Sequence, residues 1–237
     1  MIEIASISQK FINKEKNGDY CIHQVINDQI FIAAVADGVS NQPCDWKASQ
    51  VACEELRLQF TKMVDLSLSE RLKQSVIKAN EKVINESGVC ANMSATLSVM
   101  CLNLTDHQGY FANVGDSRIY CTRNNQLQQL TTDDSIKRTK TIITEIGGRT
   151  VDASVLSKSL GMDHSTINIE IHPIQTEPGD LNILATDGFY SARVTFSNNM
   201  IQLSNSKSLQ QDFESIAKKY LLLAGDDMTA IAFRLNS

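Results

Sequence analysis

Two strongly apolar runs that each break off at Asp-Gly constrain this chain more than any bulk property. Phe31-Ile32-Ala33-Ala34-Val35-Ala36 leads into Asp37-Gly38, and Leu181-Asn182-Ile183-Leu184-Ala185-Thr186 leads into Asp187-Gly188. Short runs of this kind, bounded by turn residues, read as strands. Two more acids stand just ahead of strand-like segments, Asp19 before Tyr20 and Asp226 before Met228. In antiparallel neighbours the end of one strand lies beside the start of the next, so all four carboxylates can gather at one sheet rim. Asp116, in the tight turn Val114-Gly115-Asp116-Ser117-Arg118, is a fifth candidate. Carboxylates gathered in this way repel unless a cation neutralises them, and Mg²⁺ or Mn²⁺ favours such an oxygen donor set. Taken singly, each Asp-Gly also reads as an ordinary turn.

The remaining pattern sets the architecture. Strands are expected over residues 3–7, 20–26 and 30–36, with Asn27-Asp28-Gln29 as a hairpin turn. Helices are expected over residues 46–63 and 68–85. The first carries an imperfect stripe of Val51, Leu56, Leu58 and Phe60. The second carries Leu72, Val76, Ala79 and Val83, with Ser69 as its cap. Further strands follow over 94–104, 109–114, 118–122 and 127–130, then a polar stretch from Thr131 to about Asp152. Strands over 166–174 and 181–186, a helix over 209–222 and a last strand over 228–235 complete the series. Adjacent strands joined by short turns, with helices segregated from them, make the fold class α+β. No repeat, low-complexity tract or linker interrupts it, so one domain over residues 1–237 is expected.

Bulk properties exclude several functions. The 237 residues are 42% hydrophobic and 21% charged, enough for a sizeable core. A net charge of -5 argues against a general nucleic-acid binder, and the densest basic cluster is only Lys137-Arg138 with Lys140. No segment approaches the roughly 20 apolar residues that span a bilayer. The N-terminus lacks the pattern of a secretory signal, which points to the cytoplasm. The six cysteines show no CxxC pair, so reduced thiols are expected rather than disulfides or a zinc site.

Short motifs occur in a fixed order: Lys14-Glu15-Lys16-Asn17-Gly18-Asp19, Ala34-Val35-Ala36-Asp37-Gly38, Ser94-Ala95-Thr96, Asn113 to Arg118, and Leu130 to Ser135. Gly147-Gly148, Leu160-Gly161, Ala185-Thr186-Asp187-Gly188 and Asp226-Asp227-Met228-Thr229 follow. From about Lys14 to Arg234 the series resembles the PPM family, the type 2C metal-dependent protein phosphatases, in its bacterial branch. The resemblance implies a sandwich of two antiparallel β-sheets flanked by α-helices. It implies hydrolysis of phosphoserine and phosphothreonine in proteins by a metal-activated water, opposing a serine/threonine kinase, in a monomeric enzyme. Asp37, Asp187 and Asp226 are the implied catalytic carboxylates. Asp37 bridges two Mg²⁺ or Mn²⁺ ions, Asp187 and Asp226 complete one, and the Gly38 carbonyl serves the other. Asp116 with Asp187 holds a weaker third ion, Asp19 is a further metal ligand, and Lys14 is the phosphate-binding residue.

The chain departs from the family pattern at three positions. Lys14 replaces an arginine and loses its bidentate fork. Gly18 replaces a glutamate, leaving the second ion one carboxylate fewer. Val39 stands where some members carry a histidine. Lys14 and Gly18 motivate an alternative, a pseudophosphatase that binds phosphoprotein or a partner without turnover. Residues 131–147 correspond to the family's flap, either a substrate-selecting loop or a solvated surface loop.

Overall fold

The computed structural model of the protein describes residues 2–86, 88–144, 147–162, 167–191 and 195–235. The chain opens with β1 (Ile2–Gln9), β2 (Asp19–Ile26) and β3 (Ile30–Asp37), followed by helices α1 (Asp45–Lys62) and α2 (Leu68–Ile84). Four strands follow, β4 (Leu97–Asn103), β5 (Gln108–Val114), β6 (Arg118–Arg123) and β7 (Gln126–Gln129). A hairpin of β8 (Ser135–Thr144) and β9 (Gly147–Leu156) comes next, then β10 (His172–Gln175) and β11 (Leu181–Ala185). Helices α3 (Asp187–Tyr190), α4 (Phe196–Ser204) and α5 (Leu209–Leu221) lead to β12 (Met228–Leu235).

Two five-stranded sheets result, ordered β1-β12-β11-β6-β7 and β10-β5-β4-β3-β2, and the pairings within them are antiparallel. This is the expected α+β sandwich. Its apolar interior has three layers. Ile32, Ala34 and Ala36 of β3 pack with Leu56 and Phe60 of α1 and Leu72 and Val76 of α2. Phe31, Ala33 and Val35 face Leu184, Ile231 and Phe233 of the opposite sheet. Leu181, Ile183 and Ala185 meet Phe189, Phe213 and Tyr220 under the second set of helices. A strand covered on both faces needs no polar alternation, which is why β3 reads as an unbroken apolar run.

Several expectations are corrected. Ser67, not Ser69, caps α2, accepting from the Glu70 N–H at 3.4 Å. The polar stretch after Thr131 holds the β8–β9 hairpin, a separate two-stranded sheet. The strand expected over 166–174 contracts to β10, with Thr166 outside the described residues. Helices α3 and α4 were not expected. Cys44 and Cys90, expected as thiols, form a disulfide with Cα atoms 5.3 Å apart. Cys44 sits in left-handed backbone (φ 54) directly ahead of α1. Cys90 closes the short 3₁₀ turn after α2. A sequence separation of 46 conceals a pairing that depends on how the two helices pack. Cys21, Cys53, Cys101 and Cys121 are free.

Candidate active site

The period-2 alternation of β3 turns Asp37 toward the gap between the sheets, the same side as Val35. Asp19 opens β2 and lies directly opposite Asp37 in the antiparallel register. Like charges placed opposite each other destabilise a sheet pair, and here Asp19 is buried and Asp37 half-buried. Across the gap, β11 runs out beside the start of β12, with the Thr186 N–H donating to the Thr229 carbonyl at 2.9 Å. Thr186 also points its hydroxyl at Asp19, donating to Oδ2 at 2.7 Å while accepting from the Thr229 N–H at 3.0 Å. The structure thus brings the starts and ends of four strands to one rim.

Asp37, Asp116, Asp187 and Asp226 with Gly38 line a cleft of about 420 Å³. Its other wall includes Val155, Leu156 and Met162, beside the β8–β9 hairpin. The side chains of Lys137, Arg138 and Lys140, which bear on the selecting-loop reading, lie outside the described residues. Gly38 and Gly188 are required by space. A Cβ on Gly38 meets the Asp45 carbonyl oxygen at 2.0 Å, and one on Gly188 meets that of Asp227 at 1.8 Å. Thr96 fixes Asp37 from behind, its hydroxyl accepting from the Asp37 N–H at 3.0 Å and its N–H donating to the Asp37 carbonyl at 2.8 Å. Asp116 is held by its turn: the Gly115 N–H donates to Asp134 Oδ2 at 3.1 Å, and the Tyr190 hydroxyl donates to the Asp116 carbonyl at 2.9 Å. Arg118 stacks 4.0 Å over the Tyr190 ring and clasps Asp133 with two hydrogen bonds, at 2.9 and 2.7 Å.

The electrostatics are those of crowded, desolvated carboxylates. Burial, followed by the charges of Asp19, Asp187, Asp226 and Asp116, holds Asp37 well above the usual range. Burial pushes Asp19 up to about 7 against the Thr186 hydrogen bond, and Asp227 adds to the rise. Burial and then Asp187 bring Asp116 to about 6. Asp187 is raised by burial and then by Asp226. Asp19 Oδ1 and Asp187 Oδ1 are buried and accept no hydrogen bond. Orphaned hard oxygens amid uncompensated acids suit a divalent cation. The donors are not drawn tightly together, since among the described residues no three acidic, histidine or cysteine side chains form a chelating group.

Lys14 is engaged on the other side. Its ammonium lies 2.7 Å from Asp226 Oδ1, 2.7 Å from Asp227 Oδ2 and 4.0 Å from Asp45 Oδ2. Burial alone would lower its pKa, but the hydrogen bonds to Asp226 and Asp227 outweigh that and raise it. Sequence reasoning missed Asp45, Asp227 and the hydroxyls of Thr96, Thr186 and Thr229. Asp227 was visible in the sequence only as the neighbour of Asp226 in Asp226-Asp227-Met228-Thr229.

Known proteins of similar sequence and fold give the family. Residues 9–228 match the family described as Protein phosphatase 2C, and the chain belongs to that family. It is 25% identical over 198 residues to the serine/threonine phosphatase stp of Listeria welshimeri, covering 79% of this chain and 75% of that protein. It is 24% identical over 196 residues to the protein phosphatase PhpP of Streptococcus pneumoniae, covering 79% and 78%. In fold it is similar to the Mycobacterium tuberculosis serine/threonine phosphatase PstP/Ppp, with a TM-score of 0.79 at 17% identity over 100% of this chain and 99% of that one. It is also similar to the catalytic domain of PstP in complex with two manganese ions, with a TM-score of 0.76 at 16% identity and the same coverage.

Proposed function

We propose that this protein is a Mg²⁺- or Mn²⁺-dependent serine/threonine protein phosphatase. The carrying observation is the cluster of carboxylates, two of whose oxygens are buried and orphaned, at the rim of a fold belonging to the protein phosphatase 2C family. Asp37, Asp187 and Asp226 with the Gly38 carbonyl would hold the principal ions, and Asp116 with Asp187 would hold a weaker one. Asp19, with its orphaned Oδ1, would be a further ligand. In such a donor set a divalent ion supplies Lewis acidity at a phosphoryl group and a nucleophilic water at neutral pH.

The chain's own residues do the rest. Thr96 fixes the Asp37 backbone, and the Thr186 hydroxyl, itself bonded by the Thr229 N–H, holds the Asp19 carboxylate before substrate arrives, so little reorganisation is needed. Val155, Leu156 and Met162 give the acidic floor an apolar wall, against which the peptide carrying the phosphoryl group can lie. Nucleophilic catalysis by cysteine is disfavoured. Burial pushes the Cys21 thiol up to about 11 and those of Cys101 and Cys121 to about 12, and none of the three lines the cleft.

The substrate class is phosphoprotein, and a serine/threonine kinase acting on the same proteins is the natural counterpart. No helix among the described residues is long and apolar enough to cross a membrane. We further infer a monomeric catalytic domain over residues 1–237 working in the cytoplasm. The relatives named above are phosphatases, which favours turnover over binding alone. Purified protein should release phosphate from a phosphothreonine peptide with Mn²⁺ and lose that activity with a chelator. Phosphate release that is the same with and without chelator overturns the proposal.

A further inference from the structure

The acids of the rim divide by what neutralises them. Among the described residues, none of Asp19, Asp37, Asp116 and Asp187 is ion-paired, whereas Asp45, Asp226 and Asp227 share one ammonium, that of Lys14. That ammonium is built in. The Asp227 side chain, only 2% exposed, accepts from the Phe11 and Gly18 N–H groups, each at 2.7 Å, as well as from Lys14. One buried carboxylate therefore pins the loop between β1 and β2 at both ends, with Lys14 between them. The loop is tied again by the Lys14 N–H to the Phe11 carbonyl at 3.0 Å and by Lys10 Nζ to the Lys14 carbonyl at 2.7 Å. A Cβ at position 18 would lie 2.9 Å from Asp227 Oδ2 and 3.1 Å from Asp45 Oδ2, so a side chain there would have to displace these carboxylates.

We propose that Lys14 is a positioning residue that serves as the resident cation of the Asp45, Asp226 and Asp227 side of the cleft. Its ammonium stands where a divalent ion would otherwise balance those carboxylates, so divalent ions are taken up on the Asp37 and Asp187 side and compete with Lys14 for Asp226. This rests on the metal-dependent reading of the site but adds a separate claim, that one side of it carries a covalently tethered cation. Removing the ammonium leaves three facing carboxylates with no counter-charge, and divalent binding there should strengthen.

Calorimetric titration of Mn²⁺ into the wild type, Lys14→Met and Asp227→Asn tests this without reference to turnover. Lys14→Met should bind Mn²⁺ about tenfold more tightly or take up one additional ion, the scale of a charge-assisted hydrogen bond lost from Asp226. Asp227→Asn keeps an acceptor for Phe11 while loosening the hold on Lys14, and should shift binding the same way by less. Equal or weaker Mn²⁺ binding by Lys14→Met, with its melting curve still cooperative, overturns the role of Lys14 alone. If Lys14→Met does not fold, unchanged binding by Asp227→Asn overturns it. Absence of Mn²⁺ binding in the wild type and both variants overturns the metal reading itself, and this inference with it.

Discussion

A Cβ on Gly188 lies 1.8 Å from the Asp227 carbonyl oxygen, closer than any side chain can stand to backbone. The glycine after Asp187 is therefore there to let two site segments touch, and Gly38 does the same for Asp37 and the start of α1. Gly188→Ala should cost about 1–3 kcal/mol of stability, the usual scale of overpacking, and move Asp187 and Asp226 apart, with turnover lost. Urea unfolding and phosphate release check this; a variant with unchanged stability and turnover speaks against the close approach. The Asp-Gly pairs were legible in the sequence because a strand that stops at an acid is a local pattern. The role of Asp227 was not, because it depends on the β1–β2 loop folding back onto a residue more than two hundred positions away.

At the scale of elements, every long helix and most strands were readable from their apolar spacing, and the β2–β3 and β11–β12 pairs brought the expected acids together. What escaped was short or polar. Four-residue α3 and nine-residue α4 offer too few turns for a helical stripe. The β8–β9 hairpin is a separate two-stranded sheet, and its sequence, rich in Thr, Lys and Arg in β8, offers no long apolar run to read as a strand. The Cys44–Cys90 link joins the residue before α1 to the turn after α2. Closing a loop of this size is worth about 2–4 kcal/mol. Cys44→Ser should lower the unfolding free energy by that amount in oxidising buffer and leave it unchanged in excess dithiol. Equal stability of variant and wild type in oxidising buffer contradicts a formed disulfide.

For the whole molecule, the rim acids link folding to pH. Asp19 is raised from the ordinary 3.8 to about 7 and Asp116 to about 6, burial being the first cause in each. With ions chelated, the folded protein thus binds more protons than the unfolded chain between about 4 and 7, and stability falls as pH rises through that window. The contribution is fully present below the unfolded pKa and lost as pH passes the folded values. The melting temperature in chelator should be higher at pH 5 than at pH 7.5, and Mn²⁺ should restore it at pH 7.5 by binding the folded state. A chelated melting temperature that rises over this range contradicts the burial of protonated carboxylates. The sandwich itself was legible because its strands are long and apolar, and the cleft was legible only as a gathering of acids, since its wall and its resident lysine come from packing.

Anomalous diffraction at the manganese edge, from crystals grown with Mn²⁺, bears most directly on whether this rim is a metal-dependent phosphatase centre. The expected result is a manganese peak on the cleft floor in contact with the Asp37 and Asp187 carboxylates. Manganese bound only elsewhere, or an empty rim in a preparation that still hydrolyses phosphothreonine, would contradict it.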